Sequence, residues 1–400
     1  MPAALGTSTR AGGGVEPSHR EGEAGHDSGR QHRSRPSRTQ TKPLVVAVIA
    51  FTMASLFAMR VLSADDWDPS IFVGFGVEAT RTTEYAEDRL GPVFLRENHG
   101  HDGKTFFVLA NDPLLLNPEE NAAILEHPAY RSQRMMYPLM SSAGGLFSPG
   151  AIVWAMLVVN LVALGVGTWA AGAVAADLGA SSWWGLGFAL NLGFVSALVL
   201  GTADIVAGAF LFLAVRMLIA GRPRSTITFL ALAALTRPST LVVAVGLTIW
   251  LWQRGDRARA KWALGAPVTA VVSWAFYVQW RLGWTSDVEV GSFGPPLRGF
   301  VDAFPNWLNN PEHMAAGLAM LTLVALFARR ALRDRALISW AFSGYVVIGL
   351  LLVKQVWAAY WDVTRVMAPM TTAFVLLVAA KGAQWPTPDP NRALTPLQRR

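Results

Sequence analysis

Apolar stretches of membrane-spanning length recur along this chain, and nothing else in the sequence restricts its fold so tightly. A helix needs about 20 apolar residues to cross the hydrocarbon core, where every backbone N–H and C=O must be satisfied within the segment. Runs of this kind fall at 44–62, 151–176, 183–201, 203–220, 262–280, 313–329, 336–353 and 366–382. The composition agrees: of 400 residues 52% are hydrophobic and 15% charged, with a mean hydropathy of +0.34. The expectation is an all-α integral membrane protein with about eight full transmembrane helices, or about ten counting broken and re-entrant pieces. The chain has no cysteine, which excludes a disulfide framework, a thiolate metal site and a thiol nucleophile.

Basic residues then orient the spans. Residues 1–42 are rich in Gly, Ser, Arg and His and read as a disordered basic tail. Arg30, Arg33, Arg35, Arg38 and Lys42 precede the first apolar run and put that tail in the cytoplasm by the positive-inside rule. Further basic clusters at 216–224, 254–261, 329–335 and 381–400 alternate consistently if two stretches, 135–150 and 226–252, each cross an even number of times. The first is short and carries Pro138, so it reads as an outer-leaflet helix or re-entrant piece. The second is broken by Thr236-Arg237-Pro238 and reads as a hairpin of two short helices with Arg237 at its apex. The domain plan is a cytoplasmic tail (1–42), a polytopic body (43–382) and a second cytoplasmic tail (383–400), in the plasma membrane. The basic residues are scattered over loop ends and form no stripe with interleaved aromatics, so nucleic-acid binding is excluded. No Gly-x-x-x-x-Gly-Lys-Ser/Thr sequence occurs, and ATP hydrolysis has no support.

The one long polar stretch of the body, 64–134, then lies outside the membrane. Its acidic side chains outnumber its basic ones about two to one, a bias that an extracytoplasmic loop tolerates. Its centre reads His99-Gly100-His101-Asp102-Gly103-Lys104-Thr105-Phe106-Phe107, and 105–110 forms an apolar-faced helix suited to the membrane interface. The loop closes on Tyr130-Arg131-Ser132-Gln133-Arg134-Met135-Met136-Tyr137-Pro138. A later loop on the same side, 354–365, carries Trp357, Tyr360, Trp361 and Arg365. Together the two loops supply a base and cations for an anionic leaving group.

Each of these residues has a plainer reading. Asp102-Gly103 is a common turn dipeptide. Asp66-Trp67-Asp68 resembles an Asp-x-Asp cation site, with Mg or Mn as the candidate ion, but equally a solvated helix exit. Arg131 and Arg134 can snorkel. Arg237 can form an internal ion pair, and the late aromatics can be an interfacial belt. His99 and His101 with one carboxylate make a thin metal set, and hydrogen bonding to hydroxyls fits them as well.

In combination these elements resemble the bacterial multi-pass glycosyltransferases of the GT-C superfamily. The likeness rests on one helix, a long first external loop with His101-Asp102-Gly103-Lys104-Thr105-Phe106-Phe107, the Arg131-Ser132-Gln133-Arg134-Met135-Met136-Tyr137-Pro138 element, the Thr236-Arg237-Pro238 break and Trp361-Asp362-Val363-Thr364-Arg365. The resemblance implies transfer of a sugar, with inversion, from a polyprenyl-phosphate carrier to a hydroxyl acceptor on the outer face, in cell-envelope glycan or glycoprotein assembly. It implies Asp102 as general base, with Asp66 or Asp68 as alternative base or metal contact. It implies Arg131, Arg134, Arg237 or Arg365 at the donor phosphate, and His101, Gln133 and Trp361 as acceptor or sugar contacts. The partners are the lipid-linked donor, a glycan, lipid or protein acceptor, and membrane lipids. A more acidic segment belongs between the third and fourth spans of this pattern, where the chain offers Asp204 alone. The alternative of another class is a secondary transporter or lipid-linked glycan flippase, although the order of spans shows no two-fold repeat.

Overall fold

The computed structural model describes residues 41–284, 293–334 and 336–380; apart from Thr41 and Lys42, the tails expected at 1–42 and 383–400 lie outside these. The described residues are nearly all helical, and their one sheet is a parallel pair of two-residue strands, β1 (Phe75–Gly76) and β2 (Leu95–Arg96). Helix α1 (Thr41–Leu62) enters the first loop, which is itself folded: β1, α2 (Thr80–Leu90), β2, α3 (Asp102–Asn111), α4 (Pro118–Ile124) and α5 (Pro128–Arg131). There follow α6 (Met136–Gly144), α7 (Pro149–Asp177), α8 (Leu186–Ala189), α9 (Leu192–Val199), α10 (Asp204–Ile219), α11 (Pro223–Thr236), α12 (Leu241–Gln253) and α13 (Arg257–Leu282). The last part holds α14 (Arg298–Trp307), α15 (Pro311–Asp334), α16 (Leu337–Phe342), α17 (Gly344–Leu351), α18 (Lys354–Ala358) and α19 (Tyr360–Ala379).

Helix α7 is apolar on every face and therefore central, packed against α1, α6 and α10. Helix α11 lies on α10 and α13, while α9 and α15 flank α19. Among the described residues four helices are long and apolar enough to cross a membrane, namely α1, α7, α15 and α19, or five if the bent pair containing α8 and α9 counts as one. The expected count of about eight full spans is not met.

The shortfall has local causes. The run 183–201 bends by 46° where Asn191 turns its amide to other uses. Its Oδ1 accepts from the Gly193 N–H, and its Nδ2 donates to the Ala368 carbonyl and to Thr371 Oγ1. Helix α10 has 16 residues, about 24 Å at 1.5 Å per residue, which is short of the hydrocarbon thickness. The run 336–353 divides at Ser343 between α16 and α17. Helix α13 has the length, but its Trp, Ser, Thr, Pro and Gln residues make it less apolar than a span.

Other expectations fare differently. The chain breaks at Arg237 as Pro238 requires, since Pro238 has no N–H and opens a 3-10 turn. The stretch 135–150 holds only the nine-residue α6. The 105–110 helix exists as part of α3, and its apolar residues face protein: Phe106, Phe107, Val108, Leu109 and Ala110 are all buried, because α3 packs on α2, α6 and α7. The loop expected at 354–365 is largely helical, so Trp361, Asp362 and Arg365 stand on the first two turns of α19.

Candidate active site

Asp102 is the first residue of α3, with His101 as its N-cap. The Asp102-Gly103 pair is thus a helix start and not a turn. A Cβ on Gly103 would lie 2.1 Å from the Val73 carbonyl oxygen and 2.5 Å from that of Leu200, so only glycine lets α3 begin between these two backbone segments. The His101 N–H donates to the Gly74 carbonyl at 2.8 Å, which seats the helix start against the loop.

The end of α5 and the turn after it bring two arginines to this carboxylate. Arg131 Nη1 lies 2.6 Å from Asp102 Oδ1, and Arg134 Nη1 lies 3.4 Å from Oδ2. Arg134 Nη2 also donates to the Tyr130 hydroxyl at 2.6 Å. Two outside contacts hold the segment. Trp274 of α13 donates its indole N–H to the Ser132 carbonyl at 2.8 Å. Tyr137 is fully buried, donating to the Met156 carbonyl at 3.1 Å and accepting from Asn160 at 3.0 Å, with Phe106 edge-on to its ring. Tyr137 therefore fastens α6 to α7 and α3.

Arg237 and Arg365 join from the helical body that follows the first loop. Arg237, at its helix break, forms an ion pair with Asp204, the first residue of α10, which is 5% exposed and accepts a 2.7 Å hydrogen bond from Thr202. Arg365 Nη2 donates to Asp362 Oδ1 at 2.5 Å, and Nη1 stands 4.0 Å from Asp204 Oδ2. Arg365 is 7% exposed, and its Nε and Nη1 have no hydrogen-bond partner. A close approach places α19: a Cβ on Gly193 of α9 would fall 2.1 Å from the Thr364 carbonyl oxygen.

Four guanidiniums and three carboxylates therefore meet, the acids all in the first turns of helices, where the macrodipole favours their charged form. Burial pushes the Asp102 carboxyl up, but Arg131, Arg134, Arg365 and Arg237 together outweigh it and hold the group far below the usual carboxylate range. His101 is driven the other way from protonation, down to about 4, by burial and then by Arg365 and Arg96, so it is neutral at pH 7. Arg96 lies beside it, its Nη2 donating to the Ile71 and Val199 carbonyls. The His101 ring meets Trp361 edge-on, with centroids 6.1 Å apart.

Asp102, Arg131, Arg134, Arg237, Arg365, His101 and Trp361 are thus gathered in one place from four parts of the chain. Gln133 lies in the turn between Arg131 and Arg134, half-buried. Asp66 and Asp68 stand apart. Both Asp68 oxygens are engaged by Ser70, through its N–H at 2.8 Å and its hydroxyl at 2.6 Å, as the cap of a 3-10 turn, and Asp66 is exposed at positive φ. His99 pairs with Glu78 at 3.2 Å, away from His101. Among the described residues no three of His, Asp or Glu gather closely enough to hold a metal ion.

Two acids of the cluster, Asp204 and Asp362, and the neighbouring His313 fall outside the residues singled out from the sequence as carrying the chemistry. Asp362 and Arg365 are a readable i,i+3 pair once 360–365 is taken as helix. Asp204 is marked in the sequence only as the lone acid between the third and fourth apolar runs, and nothing in the sequence marks His313.

The cluster can hold an anion on its guanidiniums beside a carboxylate that stays ionised. No family model matches this chain, and no curated protein or solved structure is similar enough to count as a relative.

Proposed function

We propose that this protein is an integral-membrane inverting glycosyltransferase, similar to the GT-C enzymes, which moves a sugar from a polyprenyl-phosphate carrier to a hydroxyl acceptor at the outer face of the membrane. The observation that carries the reading is the meeting of Asp102 with Arg131, Arg134, Arg237 and Arg365, drawn from the first loop and the membrane body alike. The cluster has one more guanidinium than carboxylate, and this excess matches a singly charged phosphodiester. Guanidinium forks hold phosphate oxygens bidentately and remain charged in a low dielectric.

In this scheme the acceptor hydroxyl attacks the anomeric carbon as the bond from that carbon to the phosphate oxygen breaks. The hydroxyl proton passes to Asp102, and the electron pair leaves with the polyprenyl phosphate, whose second charge develops against the arginines. Attack opposite the leaving group inverts the anomeric centre. Asp102 has a low proton affinity while Arg131 and Arg134 face it; a phosphate drawing those guanidiniums towards itself raises that affinity when the base is needed.

The test is transfer of radiolabelled sugar from a panel of synthetic polyprenyl-phosphate donors by purified protein in nanodiscs, with and without a chelator. Wild type should transfer and Asp102→Asn should not, and the chelator arm reports whether a divalent cation such as Mg or Mn takes part. A folded, lipid-binding wild type that neither transfers nor hydrolyses any donor overturns the assignment. That result would favour the transporter or flippase reading, to which the helix breaks at Asn191 and Arg237 also lend themselves.

A further inference from the structure

Beside the charged cluster stands a ring cluster from three distant elements. Trp361 is met edge-on by His101, from the start of α3, and by His313, from the first turn of α15, at centroid distances of 6.1 and 5.1 Å. Tyr360 lies 5.4 Å from His313 and 5.0 Å from Trp361. Trp361, Tyr360 and His313 are all half-buried, so the group is neither core nor free surface. His101 directly precedes Asp102, and Trp361 directly precedes Asp362, so the rings border both carboxylates.

The position of Trp361 on α19 has a metrical consequence. It precedes Arg365 by four residues, so the two side chains share one helix face about a turn apart, about 6 Å along the axis. Side chains on two successive turns of one face can reach a phosphate and the sugar ring esterified to it together. Arg365 is buried, its Nε and Nη1 without a hydrogen-bond partner and Nη1 reaching only the 4.0 Å ion-pair contact with Asp204, which leaves donors for an anion. His313 has an equally specific shortage. Its Nδ1 is buried without a hydrogen-bond partner, and a buried bare lone pair costs less than a buried unpaired N–H. The ring proton therefore sits on Nε2, which makes that nitrogen a donor.

We propose that the ring of the donor's sugar lies against Trp361 while its phosphate is held by Arg365, and that His313 Nε2 donates to one of the sugar's hydroxyls. This rests on the glycosyltransferase reading and deepens it by naming the sugar's seat and class. The sugar is a neutral hexose or pentose. An amino sugar would bring a cation towards Arg96, Lys104 and Arg365, which all act on His101, and a uronic acid would compete with the phosphate for the same guanidiniums. His313 is a specificity-determining residue for the donor and takes no part in proton transfer.

The experiment measures binding of undecaprenyl phosphate, bare or carrying glucose, mannose or arabinofuranose, to the full chain in nanodiscs by microscale thermophoresis. The proteins are wild type, His313→Ala and His313→Gln. His313→Ala should weaken the preferred sugar-bearing lipid about tenfold and leave the bare lipid unchanged. His313→Gln, whose amide restores a donor, should recover part of the loss. Equal affinities of wild type and His313→Ala for every sugar-bearing lipid overturn the proposal while leaving the glycosyltransferase reading intact, and so does a matching loss for the bare lipid, which marks a structural role. A wild type that binds neither kind of lipid overturns both.

Discussion

Replacing Asp102 by asparagine separates the two tasks assigned to the charged cluster, because turnover and binding should move in opposite directions. Without a carboxylate at this position the acceptor's proton has no base, and a positioned base contributes about 10²–10⁴-fold to rate; kcat should fall by at least the lower figure. Binding of the anionic carrier should tighten. A carboxylate about 6 Å from a bound phosphate repels it by about 3 kcal/mol at an effective dielectric constant of 20. The Asp102 side chain is 24% exposed, so solvent screening reduces this to about 1–2 kcal/mol, or about tenfold in Kd. Stability should fall as well. The charge centres of the Arg131–Asp102 pair, in contact at 2.6 Å, lie about 4 Å apart, which is about 4 kcal/mol at that dielectric constant before screening and desolvation. A net loss of about 2 kcal/mol should appear as a lower unfolding temperature in detergent, and bare polyprenyl phosphate should restore it more fully in the variant than in wild type. Thermal unfolding and thermophoresis with the bare lipid, together with single-turnover transfer, measure all three quantities. Weaker binding of the bare lipid by Asp102→Asn, or retained turnover, would refute the reasoning.

The pH profile gives a second expectation. Because the folded-state pKa of Asp102 is depressed, the base stays ionised as pH falls, and its contribution is lost only as pH drops through that lowered value. No acid limb due to Asp102 should therefore appear in wild-type kcat/KM between pH 5 and 8. In Arg131→Gln/Arg134→Gln, burial is opposed only by Arg365 and Arg237, and an acid limb should move up towards or past the ordinary carboxylate value. Identical profiles in stopped assays carried down to about pH 3, below the ordinary carboxylate value, would count against Asp102 as the base. Gly103→Ala forces a Cβ against the Val73 and Leu200 carbonyls and should displace Asp102, reducing kcat/KM by more than tenfold in the same transfer assay. Asp204→Asn strips Arg237 of its buried partner and should destabilise the fold by about 3 kcal/mol, read as a lower unfolding temperature; a change of under half that would make the pair dispensable.

Much of the candidate site was legible in the chain. Asp102, Arg131 and Arg134 were marked by their polar setting between apolar runs, and Arg237 by its position beside Pro238 in a stretch where an unpartnered charge is costly. The sequence sets Arg365 and Trp361 beside the first loop but in a loop of their own, because periodicity locates a helix's apolar middle better than its polar first turns. The plain reading of Asp66 and Asp68 as a helix-exit feature agrees with the Ser70 contacts, which are local and so were within reach of sequence reasoning. Asp204 stood out as the lone acid between the third and fourth apolar runs, but its arginine partners did not, and His313 was out of reach, since a lone histidine has no periodicity and its partners lie far along the chain.

The sequence by itself determined the material: nearly all-helical structure, apolar segments able to enter a membrane, one polar loop rich in acids, and a break at Arg237. Those properties follow from side-chain hydropathy and backbone covalent chemistry, which act over a few residues. Only the tertiary structure decided that long spans are fewer than the apolar runs, because the bend at Asn191 depends on its side chain finding partners on a helix far along the chain. It alone brought Asp102, Asp204 and Asp362 against four arginines. A charge withdrawn from water is tolerated only beside its opposite, and which opposite it meets is decided by how the helices pack.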